Sequence, residues 1–489
     1  MLIACILPAL LLIPTTPAGQ VAPVAPTLPV ALGAHISAEQ EATRPRASRS
    51  DRVMTVSPAR AEDALPPGEA DVFAFAQDAL KLRDENAAPL YLQAFPMVNR
   101  QAERIGEKLE EFDETPLDEV DPAAWREAMG HPGTGAEINE PAVRRTRADW
   151  GAPIDELGIA TLLPYLNDAR TLARQIAMEA RLLAREGRHD ESADMLRRLY
   201  VLGQHLGNAQ DAVLVEGLVG VAISALATDR VGQIMELQDA PNRYWALTTL
   251  PTPMFDATRW LRGERWFIAN TFPSLAEPDL MNAERWGRTM IQLHNMYPVE
   301  MEPNPYRDAA SAFLGTFQAT EVLRSRGYTP EQIEQVDLFP TAARVLVDEF
   351  HATFDAAAKL WHLPFPEAYP RMEAFDEQLA QQSQETPYGF QSLAAIVMPS
   401  LNRAFAAGAD LERRIAALRI IEAVRDHAAH NGGAIPASLD AMRLPIPPDP
   451  ITGKPFGYSA EGRTFRLVAA PYREGDVDSG FTWTVTVRE

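Results

Sequence analysis

The chain has 489 residues, 46% of them hydrophobic, a formal net charge of −22 and a single cysteine. That length exceeds what one ordinary core serves, so two or three folded units are expected from a composition typical of folding chains. The negative balance argues against a footprint on nucleic acid or anionic lipid, which need Lys and Arg gathered on one face. Cys5 alone provides neither a disulfide framework nor a Cys-based zinc site.

Residues 1–33 read as a leader. Leu2 to Ile13 is an apolar run of signal-peptide length, too short to span a bilayer as a helix, followed by small-residue sites near Ala18 and Ala34. No Lys or Arg precedes it. Leu2-Ile3-Ala4-Cys5 resembles a lipobox, in which Cys5 would carry lipid. Cleavage and lipidation both place the mature protein outside the cytoplasm, in the periplasm or cell envelope.

Residues 34–65, rich in Pro and Ala and then in Arg, Ser and Glu, are expected to be a disordered linker. A helical domain is expected over residues 66–392. Its strongest periodicity is Leu166, Ala169, Ala173, Ile176, Ala180 and Leu183, one face of an amphipathic helix. Gly187 is placed to end that helix, and Met195, Leu196, Leu199 and Leu202 continue into a second one. This αα-hairpin resembles a tetratricopeptide repeat in its small and large packing positions, with Gln204 where the repeat has proline.

The segment Ala212 to Leu226 is apolar nearly all round, which marks a buried helix. Gly217, Gly220 and Ser224 leave a shallow side for close approach, and Glu216 needs a partner there. A long helix is expected from Leu393 to about His430. Tyr458, Phe465, Leu467, Trp483, Val485 and Val487 then alternate with polar residues around turns, a small antiparallel β unit packed on that helix. The fold class is therefore mainly α, and residues 393–489 are expected to fold as a unit by themselves.

Two stretches carry a resemblance. Leu163-Pro164-Tyr165-Leu166-Asn167-Asp168, Glu216-Gly217-Leu218-Val219-Gly220 and Asp239-Ala240-Pro241-Asn242-Arg243-Tyr244-Trp245 resemble a family of exported helical proteins from planctomycete-type bacteria. The resemblance spans roughly residues 70–489 and implies a fold and a compartment, with no catalytic residues. The tail is similar to the globular part of type II secretion major pseudopilins, through Asp449-Pro450, Gly453-Lys454-Pro455-Phe456-Gly457-Tyr458, Gly462, Phe465 and Leu467. The prepilin-peptidase motif and the N-terminal transmembrane helix of that group are absent from the sequence. The likeness implies a calcium ion in the last loop, where Asp476 and Asp478 are the comparable carboxylates.

Other constellations are weighed against plain structural roles. Asp348, His351 and Asp355 share a helix face with metal-ligand chemistry, and surface helices often carry such spacings. His427 and His430 suit the C-terminal end of the long helix dipole. Tyr244, Trp245, Trp260 and Trp266, with Asp256 and Glu264 among them, have the content of a sugar-binding cleft, although an ordinary core uses such rings more often. No nucleotide, zinc-protease or serine-hydrolase motif is present, and no cofactor is implied. The preferred function is a non-catalytic scaffold binding protein or peptide partners in the envelope. The alternative is an envelope hydrolase or carbohydrate-binding protein using residues 244–286.

Overall fold

A computed structural model describes residues 51–489 apart from 62–73, 76–80, 130–139, 159–160, 296–304, 386–389 and 473–478. Residues 1–33, expected from the sequence to be a leader, lie outside the described residues. In chain order the elements begin with strand β1 (Arg52–Val56), strand β2 (Arg83–Asn86), helix α1 (Ala88–Glu114), helix α2 (Pro122–Met129) and strand β3 (Arg145–Arg147). Helices α3 (Tyr165–Arg185), α4 (His189–Gly207), α5 (Leu214–Ile234), α6 (Ala257–Thr271), α7 (Ala283–Asn295) and α8 (Pro305–Ser325) follow. Then come α9 (Leu338–Trp361), α10 (Phe365–Glu385), α11 (Phe390–His430), β4 (Gly457–Glu461), β5 (Thr464–Ala469) and β6 (Phe481–Val487). The chain is mainly helical with a small sheet at its C-terminal end, as its patterning requires.

The α3–α4 hairpin turns where expected. Gly187 takes φ +75, Gly187 N–H bonds to Ala184 O at 3.1 Å and Arg188 N–H to Leu183 O at 2.9 Å. This pair of bonds is the Schellman arrangement, which a residue with a Cβ adopts only under strain. Ser192 Oγ donates to Ala180 O at 2.7 Å and ties the first turn of α4 to α3.

Helix α5 is the buried centre, and α4 crosses it almost backbone to backbone. A Cβ added at Gly220 would stand 2.5 Å from Gly203 O and 2.8 Å from Gly207 N. Both obstacles are backbone, so no side chain can swing away to make room. Gly220→Ala is therefore expected to destabilise the protein by about 1–3 kcal/mol through overpacking. Urea denaturation checks it, and an unchanged midpoint would mean the helices are not in close contact. On another side of α5, a Cβ at Gly217 would overlap the Trp260 indole.

Two boundaries differ from expectation. The linker assigned to residues 34–65 does not hold over residues 52–56. Arg52–Val56 forms β1, which pairs in parallel with β6 from Arg52↔Trp483 to Val56↔Val487. The sheet order is β1-β6-β5-β4, so an antiparallel β4–β5–β6 meander gains a parallel fourth strand from the other end of the chain. Met54 and Val56 are buried. The physical reason is that the β1 backbone pairs with the edge of β6 that the meander alone leaves open, while Met54 and Val56 bury their side chains in the core.

The boundary near residue 393 does not separate two cores either. Met54, Leu199, Val219, Trp260, Leu346, Leu418, Ile421, Phe465 and Val485 belong to one contiguous buried cluster. Helix α11 is the reason, since it carries apolar residues towards both the helical layer and the sheet. The sheet docks on it through Arg413, which is fully buried. Its guanidinium donates to Ser479 O at 2.9 Å and to Asp449 Oδ2 at 2.6 Å, and also to Ala470 O. Asp449 in turn holds the turn predicted there, accepting Ile451 N–H at 2.9 Å, with Gly453 at φ +67.

Candidate functional site

The six residues proposed to line a cleft serve separate ends. Tyr244 is buried with Ala61, Ala423 and Leu444, its hydroxyl donates to Pro445 O, and Arg419 lies over its ring at 5.4 Å. Trp245 packs edge-on against it at 5.1 Å. Trp260 belongs to the main core and donates its indole N–H to Gly207 O at 2.6 Å. Asp256 caps α6: burial works against its charge, but hydrogen bonds from Thr258 and Arg259 outweigh this and hold its carboxyl below the ordinary value. Glu264 is buried, and Trp266 faces solvent at 62% exposure. The residues therefore do not converge on one cleft. Trp260 supplies core volume where α5 carries Gly217, and Tyr244 fills a separate small cluster with Ala61, Ala423 and Leu444.

What the fold does gather is a pair of carboxyl groups at the N-terminus of α5. Glu216 accepts Tyr165 Oη–H at 2.7 Å and Val213 N–H at 2.8 Å. Glu264 reaches across from α6 and accepts the next amide, Leu214 N–H, at 2.9 Å. Burial, the leading cause for each, pushes both carboxyls up to about 7. The need for a partner at Glu216 was legible in the sequence. Its pairing with Glu264 was not, since the two are distant in sequence and meet only when α6 folds back.

A second arrangement escaped sequence reading altogether. His189 Nε2 lies 3.0 Å from Asp239 Oδ2, while its Nδ1 is buried without a hydrogen-bond partner. The ring borders a cleft lined by Ser192, Leu196, Met235, Arg243 and Glu422, with about 20 Å³ of free space, room for roughly one water molecule. Arg243 N–H and Arg425 occupy Glu422, and Ser192 is spent on Ala180 O. Nothing in the sequence marks this pair, because the acid and base come from different turns.

The other constellations resolve as structural contacts. Arg265 donates from Nε to His351 Nδ1 at 2.8 Å and pairs with Asp355 at 2.7 Å, so a guanidinium occupies that helix face. His430 bonds through Nδ1 to Asp426 O at 2.8 Å at the end of α11. Asp476 and Asp478 lie outside the described residues. Among the described residues no group of three or more His, Cys, Asp or Glu is placed to hold a metal ion, and no helix is long and apolar enough to cross a membrane. In comparisons with family models, curated proteins and solved structures, nothing matches this chain.

Proposed function

We propose that this protein is an exported, non-catalytic helical scaffold that works by binding a protein partner in the cell envelope. The observation that carries the reading is a set of exposed large apolar side chains on α6, on the short helical turn Ile154–Leu157 beside it and in the segment that follows that turn. Leu162 is 83% exposed, Trp266 62% and Leu157 50%. Asn270, one turn beyond Trp266 on the same side of α6, donates to Ile154 O, which places these elements side by side. Large apolar side chains are costly to leave in water, and three of them exposed on neighbouring segments are what an interaction site would use. The formal charge of −22 favours a partner whose contact face is apolar with a basic rim. The leader, the tetratricopeptide-like hairpin and the likeness of the tail to pseudopilins agree with this compartment and mode of action.

The test compares the wild type with the Leu162→Ser, Trp266→Ala double variant by crosslinking in the native envelope fraction. Both side chains are exposed, so the variant is expected to keep its melting temperature within about 2 °C. One specific crosslinked protein should be lost from it. Identical crosslinks in both proteins would remove the surface from the reading. Binding of the wild type to envelope glycans that the variant abolishes would replace the scaffold with a carbohydrate-binding function.

A further inference from the structure

The N-terminus of α5 holds two acids where one would suffice. Val213 and Leu214 N–H point outward from the helix start, and such unpaired amides favour a single negative charge. Glu216 takes the first from within the helix, and Glu264 takes the second from α6. The chain is closely packed around them. A Cβ at Gly263 would overlap Ala212 O, and Trp260 lies against Gly217, so α6 must shift before water reaches the pair. We infer that Glu216 and Glu264 form a proton-operated latch between α5 and α6, closed while the pair keeps at least one proton and loosened when both are ionised.

The surroundings support this assignment. Tyr165 of α3 donates its hydroxyl to Glu216. Asp211, in the turn before α5, adds negative charge near Glu216, and Asp149 adds more near Tyr165. From α6 the group that faces Glu216 is Glu264 itself. Among the described residues no Lys or Arg pairs with either carboxyl. Two ionised carboxylates in so dry a site repel and are poorly solvated, so the second ionisation is resisted by the fold.

The direction of the effect follows from linkage. Both folded carboxyls sit at about 7, above the ordinary 4.5. The folded state therefore binds more protons than the unfolded chain between those values. The stabilisation is complete below about 4.5 and is lost as pH rises through 7.

The experiment follows wild type, Glu264→Gln and Glu216→Gln from pH 6 to pH 8.5 at fixed ionic strength. Glutamine keeps the acceptor for the backbone amide and cannot ionise. The unfolding equilibrium constant of the wild type is expected to rise at least about tenfold more over that range than that of either variant. Hydrogen exchange, corrected for its intrinsic pH dependence, should place the loosening in residues 257–271. An identical pH dependence in all three proteins would overturn the latch. Should a variant fail to fold, the side-chain carboxyl ¹³C titration of the wild type decides. Midpoints near 7 support the latch, and midpoints below about 5 for both residues overturn it.

Discussion

A chain that starts at Glu62 is expected not to fold, whereas one that starts at Asp51 should be as cooperative as the full protein. The difference is residues 51–61, which sequence patterning assigns to a linker. Burial of Met54 and Val56 alone contributes about 1.5–3 kcal/mol each. Their removal also takes a partner from three buried polar groups, of which Asn242 keeps Glu422 O and Asp426 keeps Arg443. Arg425 Nε donates to Ser57 O at 2.8 Å, Asn242 Nδ2 to Ala59 O at 3.0 Å, and Ala61 N–H donates to Asp426 Oδ1 at 3.0 Å. Arg425 Nε, left unpaired in the interior, costs about 1–3 kcal/mol, and the weakened contacts of Asn242 and Asp426 add to it. With the unpaired side of β6 added, the loss reaches the 5–15 kcal/mol that holds a typical protein together. Circular dichroism and the sharpness of thermal unfolding distinguish the two chains. A cooperative melt for the Glu62 chain would show that β1 is dispensable. By the same reasoning residues 393–489 alone should not fold, contrary to their reading as a unit, because β6 and α11 both lose their N-terminal cover.

The features legible in the sequence are those decided locally. Gly187 ends α3 because a few neighbouring amides and carbonyls determine a Schellman turn. Helix α5 announces itself because burial on all sides leaves no polar stripe, and its glycines signal close approach wherever the partner comes from. The Asp449 to Gly453 turn is equally self-contained. Strand β1 fails this test. Its partner β6 lies at the far end of the chain, and in Val53-Met54-Thr55-Val56 the apolar Val53 is the exposed residue at 80%. A strand of five residues among arginines and serines looks the same whether or not a sheet edge awaits it.

The candidate site divides along the same line. Aromatic content over residues 244–286 is visible, but whether a tryptophan fills a core or lines a cleft depends on what packs against it. Trp260 is core because Gly217 and Gly207 O are opposite it, on other helices. Trp266 is exposed although it stands only six positions away. Glu264 is buried beside Glu216 through the same close approach. The tertiary path of α6 assigns all three roles, and no local pattern encodes that path.

The strongest single substitution should be Arg425→Ala, with a loss of about 3–5 kcal/mol, the range for removing one partner of a buried ion pair. Arg425 is fully buried and joins three parts of the chain. Besides Ser57 O it donates to Ala240 O at 2.7 Å and to Glu422 Oε2 at 2.7 Å. Truncation leaves Glu422 buried with the Arg243 amide at 3.0 Å and the weaker attraction of the Arg243 guanidinium. Arg425→Lys should recover little, since one ammonium cannot span a fork of donors aimed at separate segments. Burial, the leading cause, already raises the Glu422 carboxyl above its ordinary value in the intact protein. Without the guanidinium it should rise further, so a neutral Glu422 is tolerated at low pH and a charged one is not. The deficit of Arg425→Ala should therefore be smallest below the ordinary carboxylate pKa and grow as pH rises. Pairing it with Glu422→Gln should return part of the loss at neutral pH. Urea titrations of the four proteins at pH 5 and pH 8 complete the cycle. A deficit independent of pH would mean that the lost backbone contacts, and not the stranded carboxylate, carry the cost.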